Sequence, residues 1–456
     1  MINTRIVTSK NKNMKSLRIT LILILFISCN SDKVKYNNVF DSPLLYSKTV
    51  KELNNLVMQN NFAPIVASRN YTYANIAAYE VVALADSRFV SFAGRIKHLA
   101  AVPMPDTVNC NFNYAALLAF CKVGEAVTFP EGSMKDYVAK LDSMAEASGM
   151  PSAMQKASKQ LADSVANHIL RWSKKDNYAQ TRTDEKYTIT EEPGRWIPTP
   201  PAYAQALEPN WNKIRPMLMD SANQFLAPPP PVFDIKNKSS KFYQEVLAVK
   251  NAGDSLTTEQ KHIADFWDDL GNRTIVEGHY MFTAKKFSPP GHWMNIVGIA
   301  AQKSNADFST TVYAYAKTAI AGFDAFIQCW DEKFRSNVIR PETVINKYID
   351  AEWRPYLQTP PFPEYTCGHS TVSSSAAEAL TSIFGDHFAY TDSSELEFGI
   401  KNRSFTSFKA AAIENNWARF YGGIHFHNSC IISTDFGSQV GQLVNDKLKT
   451  PVQIIK

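Results

Sequence analysis

Cysteine is scarce in this chain, six in 456 residues and none in a CxxC pair. That excludes a zinc-ribbon type of site and a disulfide framework as the organising theme. Beyond Cys29 the chain has Cys110, Cys121, Cys329, Cys367 and Cys430. In an oxidising compartment Cys110 and Cys121 are the candidates for a pair, and an odd count leaves at least one thiol free. Net charge is also missing once the first segment is set aside. The formal charge is +5, but residues 1–28 carry Arg5, Lys10, Lys12, Lys15 and Arg18 and no acid. Without those five, 43 Lys and Arg face 43 Asp and Glu. A neutral remainder gives no electrostatic footprint for nucleic acid, so no nucleic-acid partner is expected. After residue 28 no apolar run approaches the ~18 residues that a membrane span requires. Nor does an Asn-Gly or Asp-Gly turn separate alternating strands.

What is present begins with an export signal. Met14-Lys15-Ser16-Leu17-Arg18 is a basic start, and Ile19 to Ile27 is an apolar core too short to span a bilayer stably. The core ends in Leu25-Phe26-Ile27-Ser28-Cys29, similar to a bacterial lipobox with Phe26 in place of the usual Leu. The expected product is a lipoprotein lipidated at Cys29 and tethered to a membrane through Asn30 to Asn38. Asn30 is not the Asp that commonly retains lipoproteins in an inner membrane, so the cell envelope, and an outer membrane where one exists, is the expected location.

The composition, 45% hydrophobic and 20% charged, is globular. Apolar residues recur at three- and four-residue spacing over residues 42–62, 65–84, 112–129, 133–147 and 153–172. The fold class expected is all-α, a helical bundle. From Glu191 to Pro231 the chain carries Pro193, Pro198, Pro200, Pro201, Pro209, Pro216 and Pro228 to Pro231, which no continuous helix accommodates. Arg195-Trp196 and Trp211 suggest that this stretch is packed. The domains expected are thus 1–28 signal, 29–230 helical scaffold with the proline-rich connection, and 231–456 helical catalytic domain. In the last of these, Thr257 to Gln260 has a capping-box pattern. A long helix over about 305–334 places Phe308, Val312, Tyr315, Ala319, Phe323, Phe326, Trp330 and Phe334 on one stripe.

Three motifs follow in order. Lys333-Phe334-Arg335-Ser336-Asn337-Val338-Ile339-Arg340-Pro341 sets a Lys and an Arg seven apart. Because Arg340 precedes Pro341 it is biased away from helical dihedrals, so the helix should finish between the two cations. Phe362-Pro363-Glu364-Tyr365-Thr366-Cys367-Gly368-His369-Ser370 is an extended approach to a helix N-terminus, where free N–H groups and partial positive charge favour an anion. Gly368 permits close backbone approach, and His369 is placed to exchange a proton with a bound oxyanion. Arg419-Phe420-Tyr421-Gly422-Gly423-Ile424-His425 ends a helix with an Arg fork and returns an imidazole. An Arg fork binds two oxygens of a tetrahedral anion, and an imidazole nitrogen attacks phosphorus or ligates vanadium. His427, two residues on, is expected to point away.

The combination Lys-x6-Arg-Pro, Gly-His and Arg-x5-His resembles the type 2 phosphatidic acid phosphatase and vanadium haloperoxidase superfamily. The motifs cover roughly the last third. Thr257 to Trp293, through Phe266-Trp267-Asp268 and Pro289-Pro290-Gly291-His292-Trp293, is similar to bacterial members of the haloperoxidase branch. The resemblance implies that Lys333, Arg340 and Arg419 bind the equatorial oxygens of vanadate or phosphate, with Gly368 and Cys367 as further anion contacts. It makes His369 the acid–base histidine, and His425 the vanadium ligand or the phosphatase nucleophile. Asp269, or else Asp268, matches a carboxylate that pairs with the last Arg. Trp330 and Phe362 match residues that shape a halide site in chloroperoxidase-type members. Two of the motifs depart from the pattern, at three positions. The usual Pro-Ser-Gly-His is Thr366-Cys367-Gly368-His369, and the usual Ser-Arg is Ala418-Arg419. A thiol donates a weaker hydrogen bond than a hydroxyl and is oxidisable by peroxide.

The expected function is an exported vanadium-dependent haloperoxidase with vanadate as cofactor and hydrogen peroxide and halide as substrates. The alternatives are an acid phosphatase that cleaves phosphate esters at the same pocket through a phosphohistidine and needs no cofactor, and a catalytically weak anion-binding lipoprotein.

Overall fold

The computed structural model describes residues 35–103, 109–270, 273–283 and 285–450. The export signal and Cys29 lie outside them. Helices begin where the sequence supplies caps. Pro43–Gln59 (α1) and Pro64–Ala85 (α2) each start on a proline whose missing N–H costs a helix nothing in its first turn. Phe112–Ala126 (α3) is capped by the Asn111 side chain. Lys135–Ala147 (α4), Ser152–Ser173 (α5) and the single turn Tyr178–Thr181 (α6) complete the first half. The second half holds Lys241–Asp254 (α7), Thr258–Phe266 (α8), Pro289–Lys303 (α9), Phe308–Ser336 (α10), Pro341–Tyr348 (α11), Gly368–Phe384 (α12), Phe408–Tyr421 (α13) and His427–Lys447 (α14). The capping box at α8 is formed by Thr257 and Gln260. The expected all-α architecture is what the chain adopts.

Two small antiparallel hairpins were not foreseen. Thr274–Glu277 (β1) pairs with Tyr280–Thr283 (β2), and Tyr390–Asp392 (β3) with Arg403–Phe405 (β4). Strands of three or four residues are too short for alternation to register, and the first hairpin turns on Gly278 at φ +59° without an Asn or Asp before it. The expected Cys110–Cys121 pairing is not formed, and all five described cysteines are free thiols. Cys121 lies nine residues into α3, a rise of roughly 13 Å, beyond the ~7 Å that a disulfide tolerates between Cα atoms.

α2 is buried on nearly every face, so its polar side chains need partners inside the protein. Thr72 donates to the Ala319 carbonyl on α10 at 2.9 Å, and Asn75 accepts from Tyr46 at 2.8 Å. One apolar cluster runs from Phe40 to Leu448 and takes side chains from both halves of the chain. The proline-rich stretch is packed onto this core. Its only helical turn, Trp211–Lys213, is a 3-10 turn, and Trp196 and Trp211 are fully buried. Buried Asp324 on α10 accepts from the backbone N–H groups of Met217, Leu218 and Met219 at 2.6, 2.8 and 3.2 Å. Those bonds fasten the connection to α10, the helix that carries Lys333.

α12 runs through the middle of the second half, against α10, α13 and α14. Its approach to α14 is set by two glycines one turn apart. A Cβ at Gly437 would sit 2.0 Å from the Thr371 carbonyl oxygen, and one at Gly441 2.5 Å from Glu378 Cβ. Gly437→Ala separates two effects of opposite sign. Helix propensity alone favours Ala by about 1 kcal/mol, whereas the clash is with backbone that cannot step aside. We expect a net loss of about 2 kcal/mol or more in chemical denaturation; a stabilised variant would mean that the helices are not held this close.

Candidate active site

The ends of α10, α12 and α13 and the turn before α14 converge on one buried pocket. α10 stops at Asn337, which takes the left-handed conformation (φ 50°) and donates its N–H to the Lys333 carbonyl at 2.9 Å. Arg340 is therefore outside that helix, extended (φ −78°, ψ 150°) as the N-cap of α11 before Pro341. The stripe along α10 is buried from Phe308 to Trp330. Lys333, one turn further on, is carried into the interior with it.

Lys333 is fully buried, and its ammonium donates to the carbonyls of Pro363 (2.9 Å), Glu364 (3.0 Å) and Thr366. Arg340, also fully buried, donates through Nε to Phe362 O at 2.8 Å and through Nη1 to Ile424 O at 2.8 Å. Arg419 donates through Nη1 to Trp267 O at 2.7 Å. Among the described residues none of these three cations makes an ion pair with a carboxylate within 4.0 Å. Carbonyl oxygens orient them without neutralising them. Burial pushes Lys333 down to about 8 and Arg340 down to about 10, and the positive neighbours Arg340 and Arg419 respectively push in the same direction. Three N–H or ring nitrogen sites shielded from solvent have no partner among the described residues: Arg340 Nη2, Arg419 Nε and His369 Nε2. Buried polar nitrogens of this kind are ordinarily satisfied. The two guanidinium donors mark room for an acceptor, and the imidazole nitrogen for a group that shares a proton with it.

α12 supplies the rest. It opens at Gly368 with Cys367 as N-cap, and the Cys367 side chain makes no cap bond. Its first turn therefore presents backbone N–H groups to the pocket. A Cβ at Gly368 would meet Trp330 at 3.5 Å and Lys333 Cε at 3.9 Å, which places the residue against two of the proposed site side chains. His369 is held well below its usual range by burial and then by Arg419, so its ring is neutral. Cys367 is fully buried, with its N–H on Ser433 Oγ at 2.8 Å. Burial opposes its ionisation, but a hydrogen bond with Cys430 and the adjacent His425 and His369 hold its thiol well below the ordinary value.

His425 is buried, and its Nε2 lies 3.1 Å from Arg340 Nη1. Its Nδ1 lies 2.7 Å from Glu364 Oε1, which also accepts the Phe426 N–H at 3.2 Å. A carboxylate on Nδ1 fixes the proton there and leaves Nε2 with its lone pair, the form a ligand or nucleophile requires. Glu364 was not singled out from the sequence. It sits inside the second motif, but its partner is 61 residues away and nothing local announces the pair.

Trp330 and Phe362 pack with centroids 4.9 Å apart and planes tilted by 53°, with Lys333 Nζ 5.0 Å and Arg340 Cζ 5.0 Å from the Phe362 ring. Trp330 donates its indole N–H to Leu207 O at 3.1 Å, so it offers the pocket a ring face and no donor. Asp269 does not meet Arg419 as the resemblance implied. It contacts His292 Nδ1 at 2.9 Å, while Arg419 is taken by the carbonyl of Trp267. Asp268, the alternative, is buried and close enough to feel Arg419 without bonding to it. His427 opens α14 and packs on Trp417, 4.1 Å between centroids, away from the pocket.

Two outcomes follow from this geometry. Glu364→Gln removes the charge that fixes the His425 tautomer, so inorganic phosphate or orthovanadate should bind about ten- to a hundredfold more weakly by calorimetry, with the fold retained. The pH dependence has a definite sign. Lys333 is charged below about pH 8, so anion affinity should be level there and fall as pH rises through that value. Affinity that climbs above pH 8 would contradict the assignment.

The family description "VCPO second helical-bundle domain" matches residues 313–453, which hold all three motifs. No curated protein sequence matches the chain. Among solved structures, the chain is similar to a bacterial vanadium-dependent iodoperoxidase at 42% identity and a TM-score of 0.86, covering 91% of this chain and 99% of that one. Holo and apo forms of a bacterial vanadium-dependent chloroperoxidase share the fold at 18% and 17% identity, TM-scores 0.63 and 0.62, covering 85% of this chain and 93% and 94% of theirs. With that identity over nearly the whole length, the chain belongs to the vanadium-dependent haloperoxidases of the phosphatidic acid phosphatase type 2 superfamily.

Proposed function

We propose that this haloperoxidase binds vanadate through His425 Nε2 and oxidises iodide with hydrogen peroxide, as an exported, lipid-anchored protein of the cell envelope. The observation that carries the reading is the set of unpartnered buried nitrogens on Arg340, Arg419 and His369 around an imidazole whose other nitrogen is held by Glu364. A tetrahedral oxyanion would satisfy the two guanidinium donors, and His425 Nε2 would hold its vanadium. Three cations against the single Glu364 carboxylate leave an excess of positive charge suited to a multiply ionised anion. The export and lipid anchor rest on residues 14–29 of the sequence.

When bound, vanadate supplies the Lewis acid at which peroxide is activated towards halide. The chain's own residues do the rest. Lys333, Arg340 and Arg419 neutralise the oxyanion in a pocket of low polarity, where each charge acts at close to full strength. His369, neutral, takes at Nε2 the proton that hydrogen peroxide gives up on entering. Trp330 and Phe362 close one wall with apolar surface, which suits a large, weakly hydrated halide. The net reaction joins halide, hydrogen peroxide and one proton to give hypohalous acid and water. Iodide is preferred in this reading because the iodoperoxidase is the 42% identical relative.

The test is a paired assay on protein lacking residues 1–29. One portion is loaded with orthovanadate and given peroxide, iodide or bromide and a halogen acceptor. The other is kept free of vanadate and given an aryl phosphate. We expect vanadate-dependent iodide oxidation that His425→Ala abolishes, and that His369→Ala reduces by roughly 10²–10⁴-fold while vanadium stays bound. Phosphate release without halide oxidation would replace this reading with a phosphatase. Cys367→Ser restores a hydroxyl at the anion contact and should slow inactivation by excess peroxide. Unchanged inactivation would clear the thiol of that role.

A further inference from the structure

Next to the Arg419 arm lies a second polar cluster that the halide chemistry does not use. His292 on α9 is fully buried. Its Nδ1 is 2.9 Å from Asp269 Oδ1 and 3.9 Å from Glu395 Oε1, and its Nε2 is 3.0 Å from Asp392 Oδ2. All three carboxylates are buried. Asp392 is well supplied, because it also accepts from the Ser394 N–H at 2.9 Å and the Ser394 hydroxyl at 2.5 Å. The other two are not. Among the described residues nothing donates a hydrogen bond to Asp269 Oδ2 or to either oxygen of Glu395, and Lys286 Nζ stands 3.8 Å from Glu395 Oε2. Carboxylate oxygens removed from water and left without donors are costly unless something positive sits against them.

We propose that Asp269, His292 and Glu395 bind a divalent cation of the zinc type, with Asp392 as the carboxylate behind His292. One ligand atom from each of the three residues lies within 4.8 Å of the others. Zinc bonds of about 2.0–2.2 Å to nitrogen and oxygen require ligand atoms roughly 3.3 Å apart in a tetrahedron. The observed 2.9 and 3.9 Å bracket that spacing, so small side-chain rotations complete it. A carboxylate accepting from the far imidazole nitrogen is the usual support of a metal-bound histidine, fixing its tautomer so that the other nitrogen faces the ion. Calcium and magnesium prefer all-oxygen shells of six or more, which a site containing an imidazole does not supply. Binding displaces the proton on His292 Nδ1 that otherwise bridges to Asp269.

The position gives the ion a purpose. Asp269 is two residues from Trp267, whose carbonyl holds Arg419 and whose ring stacks on His292 at 4.8 Å. A cation there ties the segment after α8 to α9 and to the 3-10 turn Ser394–Phe398, and so seats Arg419. It is a positioning site and touches no substrate.

The experiment uses the full-length chain expressed in zinc-supplemented medium, desalted, and analysed by inductively coupled plasma mass spectrometry for zinc and vanadium together. About one zinc per chain is expected in the wild type and a small fraction of that in Glu395→Gln. Treatment with dipicolinate should lower the unfolding temperature of the wild type, added zinc should restore it, and Glu395→Gln should respond to neither. Should Glu395→Gln fail to fold, Asp392→Asn serves instead and should weaken zinc binding about ten- to a hundredfold. A wild type without stoichiometric zinc, or a Glu395→Gln protein that keeps its zinc, would overturn the proposal and leave a proton on Glu395 as the occupant. Zinc content is read independently of vanadate, so loss of one assignment leaves the other standing.

Discussion

Three cations taken out of water, none within 4.0 Å of a carboxylate among the described residues, set the terms for the rest of this fold. Lys333, Arg340 and Arg419 are each at most 1% exposed. An isolated buried charge is among the least favourable things a protein can contain, and side chains that long would normally swing out to solvent. Here they cannot. Lys333 is carried inward by an apolar helix face and locked by three carbonyls, Arg340 is pinned at two nitrogens, and Arg419 is pinned at one. Much of the surrounding architecture serves that confinement. The proline-rich approach to α12 supplies the acceptors, Asp324 fastens the connection to α10, and the glycine contacts seat α14 under α12.

The same confinement explains the pH behaviour of the site. Burial, and after it the neighbouring positive charges, pushes Lys333 down to about 8 and holds His369 well below its usual range. The pocket thus holds fixed positive charge for an oxyanion beside an uncharged base for its proton. Glu364 completes the division of labour by acting on the far nitrogen of His425, where it sets the tautomer without cancelling charge at the anion. Cys367 is the one element at odds with peroxide chemistry. It lies against His425 and Cys430, so its effect falls on the anion's immediate contacts.

Helix positions and the anion-binding inventory were legible because both rest on local signals. Prolines at first turns, the Thr257 capping box and the α10 stripe fix their helices over a few residues each, and Arg340 before Pro341 announces its own exit from the helix. What the sequence withheld depends on distant partners. The Glu364–His425 pair spans 61 residues, and the contact of His292 with Asp392 spans 100. Asp269, or else Asp268, was read as the partner of an arginine because the family resemblance implied it, but a backbone carbonyl is an acceptor that no motif can show. The hairpins escaped for the opposite reason, being too short to have a period.

Confining Lys333, Arg340 and Arg419 in the interior carries a cost that a bound oxyanion removes. The most direct measurement compares the unfolding temperature of the wild type and Arg419→Met with and without orthovanadate. Methionine keeps much of the side-chain volume and discards the charge. The account predicts that Arg419→Met is at least as stable as the wild type when no anion is present, and that orthovanadate raises the unfolding temperature of the wild type alone. A variant that is less stable in anion-free buffer and still stabilised by orthovanadate as strongly as the wild type would contradict it.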